Sequence, residues 1–214
     1  MRRQTCLYRL NRSLQKRINR LEAIAGPVVG KDGSDIDRAV SFTLVELMTS
    51  WSNFVREFYL SCATLAPKTI SGSRVTHSKT GLNNERDALI FAIAVLKAKT
   101  ITKPRIAPLD EPTWREKRAL ATLSQNLGLS NNTAIVNALS YSTTFFDHAH
   151  TVRNFYAHRS EGTVVRVLDL ALRDYGLRIS HPHALMNKIH PGRTDTILQE
   201  WLSDVRVIAN TMCA

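Results

Sequence analysis

Residues 34–66 read SDIDRAVSFTLVELMTSWSNFVREFYLSCATLA, and the spacing of their apolar members decides the fold class. Ile36, Val40, Leu44, Leu47, Trp51, Phe54, Phe58 and Cys62 recur at intervals of three and four, so on a helix of period 3.6 they fall on one stripe. Ser34 or Asp35 is placed to cap the first turn. The pattern holds to about Ala66, which predicts the longest helix of the chain.

Working outward, the same signal recurs. Upstream, Leu7, Leu10, Leu14, Ile18 and Leu21 predict an amphipathic helix from Thr5 to Ala25, stopped by Gly26-Pro27 and followed by a turn over Gly30 to Ser34. Its other face is cationic: Arg2, Arg3, Arg9, Arg12, Lys16, Arg17 and Arg20 all precede the first acid, Glu22. This face lies on RNA or faces water. Downstream, Pro67 to Asn84 is rich in Ser, Thr, Gly and Lys and reads as a mobile basic loop, while Glu85 to Lys99 is apolar almost all round and predicts a buried helix. Thr100 to Pro112 is a proline-bearing linker, with Pro112 at a helix start. Trp114 to Leu127 is a helix closed by Gly128, and Ser130 is placed to cap the next one. Helical spacing resumes at Tyr141 and runs through Val152. Thr163 to Leu172 reads as a helix or a strand, Leu177 to Ile189 as irregular with a helical turn at Pro182, and Thr194 to Met212 as a final helix capped by Thr194 or Asp195. No repeat or composition break divides the chain, so one all-α domain over residues 1–214, a bundle of six to eight helices, is expected.

The composition is 43% hydrophobic and 22% charged, ordinary for a globular chain, but the formal net charge is +11 and the pI about 10.0. A polyanionic partner follows, and the excess of 20 Arg over 9 Lys favours bidentate phosphate recognition. The most apolar run, Ala88 to Leu96, is too short to span a bilayer, so no membrane association is expected. Cys6, Cys62 and Cys213 are scattered and match neither a disulfide framework nor a zinc site, which points to a reducing, cytoplasmic setting. His148-x-His150, His181-x-His183 and His190 lack acidic or Cys partners at a recurrent spacing. Neither a metal nor a cofactor is expected.

The chemistry concentrates in residues 152–159, Val-Arg-Asn-Phe-Tyr-Ala-His-Arg. Asn154 and His158 are one helical turn apart, and Arg153 lies about 100° round from Asn154 and reaches with a long side chain. Phe155, Tyr156 and Ala157 anchor the turn, and Arg159, Ser160 and Gly162 form its exit. A permanent cation beside an imidazole suits phosphoryl transfer. In a chain with 20 Arg and 7 His, an Arg five positions before a His is expected roughly 0.65 times by chance, so Asn154, Ala157 and the helical context carry the weight.

As Arg-Asn-x-x-Ala-His this stretch resembles the signature of the HEPN superfamily. The segment Glu46 to Glu57, with Trp51, Phe54 and Glu57, looks like the early helix of its ribosome-linked branch. The resemblance implies an all-α, dimeric, metal-independent endoribonuclease. In it His158 serves as general acid or base at an RNA 2′-hydroxyl, Arg153 stabilises the phosphorane-like transition state, and Asn154 orients His158 or contacts phosphate. It further implies a two-fold homodimer with two motifs in one cleft, and a role as a toxin or in phage defence with an antitoxin or regulatory protein as partner. Arg159, with Arg9, Arg12 and Arg17 of the first helix, is the expected RNA-binding set. Glu57 or Arg56 faces the active cleft, or else the pair is a solvated acid or an ion pair.

Three alternatives remain at this level, one of them a structural bundle in which Arg153 and His158 merely pair with acids. The same fold can bind RNA or nucleotide without cutting. Leu120 to Leu139, with Gly128 in the turn, resembles a DNA-reading helix-turn-helix, although its second helix carries no cation.

Overall fold

The computed structural model describes residues 5–28, 34–101 and 106–214, with no side-chain description for Val28 or for residues 34–36. The protein is all-α. Eight α-helices stand among the described residues: α1 (Leu7–Ala25), α2 (Ser34–Thr64), α3 (Glu85–Lys97), α4 (Lys117–Leu127), α5 (Asn132–Leu139), α6 (Phe145–His158), α7 (Glu161–Tyr175) and α8 (Ile197–Cys213). Two 3-10 helices, Gly26–Val28 and Pro182–Asn187, join them, and only isolated β-bridges occur among the described residues. Of the expected turn over Gly30 to Ser34, Ser34 already belongs to α2, while residues 30–33, the side-chain cap by Ser34 or Asp35, the stripe position of Ile36, and the places of Arg2 and Arg3 lie outside what is described.

Contacts divide the chain into two compact units. Unit 1 comprises residues 1–15, 50–141 and 207–214, and unit 2 comprises residues 16–49 and 142–206. Helices α1, α2 and α8 each contribute to both. In unit 1 the buried stripe of α2 supplies Trp51, Phe54, Phe58 and Cys62, joined by Leu7, Leu10 and Leu14 of α1 and by Ile208 and Met212 of α8. Each such side chain removed from water contributes about 1.5–3 kcal/mol. Tyr59 donates a 2.7 Å hydrogen bond to the Ala88 carbonyl and its ring lies 5.4 Å from that of Trp114, which fixes α3 and the approach to α4 on α2. Asn11 donates to Asn210 at 2.6 Å, so even the polar side chains of α1 and α8 are paired.

Unit 2 buries Leu44 and Leu47 of α2, Phe145, Ala149, Val152 and Phe155 of α6, Val167 and Tyr175 of α7, and Trp201 and Val205 of α8. One polar node sets the start of α6. Thr144 Oγ1 accepts from Trp201 Nε1 at 2.9 Å and from the Tyr175 hydroxyl at 2.8 Å, and His148 Nδ1 stands 2.9 Å from that same hydroxyl. With the hydroxyl proton directed to Thr144, His148 donates from Nδ1. Burial holds its pKa below the ordinary value, against the opposing charges of Asp174 and Asp147.

Several local expectations are corrected. Residues 67–84 are irregular but pinned by backbone bonds: Leu7 donates to Lys68, Lys68 to Thr5, Ile70 to Cys213 and Ser78 to Leu127, each within 3.1 Å, and Val75 is fully buried. Helix α3 buries Ala88, Leu89, Ala92 and Ile93, while Ile90, Phe91, Val95 and Leu96 are half-exposed, so it is buried along one side only. Helix α4 begins at Lys117, because the backbone over residues 106–116 is turned and irregular, and Pro112 stands clear of it. Gly128 takes the left-handed conformation, φ 63°, that closes α4, as its residue type predicts. Ser130, however, accepts from the Thr76 N–H at 3.0 Å instead of capping α5, and residues 140–144 break the helix between α5 and α6. At α8 the cap is Thr196, one or two positions later than expected. It forms a reciprocal box with Gln199, each side chain accepting from the other's backbone N–H at 2.9 and 3.4 Å.

Candidate functional site

Helix α6 carries the residues singled out in the sequence. Its inner side, Phe145, Ala149, Val152, Phe155 and Tyr156, is buried, which leaves His150, Arg153, Asn154, Ala157 and His158 on the opposite side. Arg153 and Asn154 are half-buried and His158 is exposed. The helix ends at His158 because Arg159 turns left-handed, φ 45° and ψ 32°, and returns its N–H to the Phe155 carbonyl at 2.8 Å. A non-glycine residue in that region costs about 1–2 kcal/mol, so the sharp exit is imposed by the packing around it. Gly162 is not part of the exit. It sits in the first turn of α7, which starts at Glu161 after extended Ser160.

The expected trio does not form a closed set. The Asn154 amide nitrogen turns to His150, one turn upstream, at 3.3 Å, and not to His158. Neither Arg153 nor His158 has a hydrogen bond or ion pair among the described residues. A guanidinium and an imidazole thus stand on the last two turns of one helix with their polar atoms available to an incoming anion.

Behind this surface lies a cluster that sequence reasoning missed. The His181 and His183 rings stack at 4.5 Å and 13°, and His183 lies 5.0 Å from the Phe155 ring and 5.4 Å from that of Tyr156. His183 Nδ1 is 3.1 Å from Asp37 Oδ1, close enough to pair when the ring is protonated but not aligned as a hydrogen bond. Burial lowers the His183 pKa, and His181 and Arg159 push the same way against Asp37. The His183 imidazole therefore takes up a proton less readily than a free one. The Tyr156 hydroxyl is buried without a partner, and burial, aided by Asp37, raises its pKa. The His-x-His spacing was visible in the sequence, but nothing there links it to Asp37 on α2. No three His, Cys, Asp or Glu side chains among the described residues are grouped to hold a metal ion.

Arg56, weighed as a cleft residue, is an ion-pair centre in unit 1. Its guanidinium grips Glu111 at 2.7 and 2.9 Å, Glu85 at 3.0 Å and Glu57 at 3.1 Å, and Trp114 Nε1 donates to Glu111 at 2.9 Å. Hydrogen bonding to Glu111 raises the Arg56 pKa despite burial. Burial would raise Glu111, but the bonds from Arg56 and Trp114 outweigh it and the net displacement is downward. On α1, Arg9, Arg12, Lys16 and Arg20 are exposed in one row opposite the buried leucines, and Arg17 is half-buried at the edge of the buried stripe. Arg159 is exposed at the end of α6. No helix of the described residues is long and apolar enough to cross a membrane.

No family model, no curated protein and no solved structure matches the chain.

Proposed function

We propose that the chain is an endoribonuclease of the HEPN kind whose reaction is carried by Arg153 and His158. The observation that carries this reading is that both side chains project from the end of α6 without a protein partner among the described residues. A structural arginine would be saturated by carboxylates, as Arg56 is. In the proposed step His158 accepts the proton of an RNA 2′-hydroxyl, whose oxygen attacks the adjacent phosphorus. Arg153 spans two oxygens of the phosphorane-like transition state, where charge is greatest. The bond to the 5′ oxygen breaks and that oxygen takes up a proton, leaving a 2′,3′-cyclic phosphate and a 5′-hydroxyl. No step requires a metal ion.

Arg159 extends the cationic surface beyond His158, and Arg9, Arg12 and Arg17 on α1 contact the phosphate backbone. Asn154, bound to His150, is assigned to steadying the α6 surface instead of His158. The reading includes a two-fold homodimer that brings two copies of the motif to one cleft, and a cellular role as a toxin or phage-defence effector held in check by an antitoxin or regulatory protein. The test is RNA cleavage by the purified chain in the presence of EDTA, with analysis of the fragment ends. Cyclic phosphate and 5′-hydroxyl termini are expected. Cleavage that requires a divalent ion, or that leaves 5′-phosphates, overturns the mechanism.

A further inference from the structure

Within unit 1, the start of α1 and the chain after α2 form an open hollow of about 430 Å³ lined by Thr5, Cys6, Arg9, Leu65, Ala66, Lys68 and Arg74. Its walls are fixed at the backbone. Leu7 donates to Lys68 and Val75 to Pro67 at 2.8 Å, Lys68 donates to Thr5 at 2.9 Å, and Lys68 and Arg74 face each other across an antiparallel bridge. Ala66 makes the turn out of α2 in the left-handed region, φ 43°. Three cationic residues thus line one hollow, and no carboxylate is among its described lining residues. None of the three has an ion pair among the described residues. Like charges around one hollow repel one another, and an anion bound there offsets that repulsion. The volume falls within the range of small-molecule sites, about 300–1,000 Å³.

We infer that this cavity is a binding site for a phosphate-bearing ligand of nucleotide size, with Arg9, Lys68 and Arg74 on the phosphate and Leu65 and Ala66 beneath the sugar or base. The site stands on unit 1 residues alone and holds whether or not α6 cleaves RNA. Its ligand is a free nucleotide or one nucleotide of a strand, which present the same chemistry.

Cys6 provides the readout, because it lines the cavity and is partly exposed while Cys62 and Cys213 are fully buried. Alkylation of Cys6 by iodoacetamide is followed in the full chain carrying His158→Ala, so that RNA stays intact. Millimolar AMP, or a single-stranded RNA of about ten nucleotides, is expected to slow alkylation at least about fivefold, and adenosine is not. Protection by AMP identifies a free nucleotide, and protection by RNA alone identifies a strand phosphate. Lys68→Gln with Arg74→Gln is expected to weaken binding by at least about tenfold, as loss of charge-assisted phosphate contacts does. An alkylation rate unchanged by AMP, RNA and inorganic phosphate alike, or equal protection by adenosine, overturns the proposal. These arms use Lys68 and Arg74 as found, so they decide the matter even where the double variant does not fold.

Discussion

Arg56 on α2 and Arg153 on α6 are both half-buried arginines on helices, and they end in opposite states. Three carboxylates and a tryptophan N–H complete the network around Arg56, whose side chain is 24% exposed. Arg153, five positions before exposed His158 on α6, has no acid bound to it among the described residues. The first arrangement holds α2, α3 and the 106–116 segment together. The second keeps a charge uncompensated by the fold, an arrangement that stabilises nothing until an anion arrives. Residue type alone does not separate structural from functional arginines in an Arg-rich chain. Under the proposed function, the count of acids within reach is what separates Arg153 from Arg56.

The largest effect expected from this contrast is catalytic. His158→Ala should lower RNA turnover by at least about a hundredfold, the usual scale for loss of a general base, with the circular dichroism spectrum unchanged. A folded variant with full activity would make His158 a bystander. Next in size is the loss of the closed network. Arg56→Ala should destabilise the fold by about 2–3 kcal/mol in urea titration, below the roughly 3–5 kcal/mol of a fully buried pair because this one is partly solvated. A shift under about 0.5 kcal/mol would show that the carboxylates had found water instead.

A smaller effect is tied to pH. His183 and His148 both have folded-state pKa values lowered from 6.5, so the unfolded chain binds their protons first. Their contribution to stability is complete above about pH 6.5 and is lost as the pH falls through the folded values. His183→Gln should therefore flatten the fall in melting temperature below pH 6.5, measured by a thermal scan at each pH. An unaltered slope would remove His183 from the account. Smallest is Tyr156→Phe. Deleting a buried hydroxyl that has no partner should leave stability unchanged or raise it by up to about 1 kcal/mol. A clear loss would reveal that the hydroxyl is bonded.

Much of this was legible in the sequence, and the residues show why. The stripe from Val40 to Cys62 and the leucines of α1 bury in their predicted sense, because a period of 3.6 is a local property that packing only confirms. Gly128 closes α4 for an equally local reason. The errors arise where a partner distant in sequence intervenes. Ser130 bonds to Thr76 and residues 67–84 are fastened to both ends of the chain, whereas the turn of Asn154 to His150 is a local choice within one helix that the motif reading overlooked. The Asp37–His183 pair and the Glu85–Arg56–Glu111 network join elements far apart in the chain, and no spacing rule reports them.

The contrast is tested most directly by measuring single-turnover RNA cleavage and the melting temperature on the same preparations of Arg153→Ala and Arg56→Ala. Arg153→Ala is predicted to lose at least about two orders of magnitude in rate with its melting temperature held, as removal of a charge stabiliser does. Arg56→Ala is predicted to lose melting temperature while each folded molecule cleaves at the native rate. The reverse outcome, with Arg56 controlling the rate and Arg153 only the stability, would contradict the assignment of the site to α6.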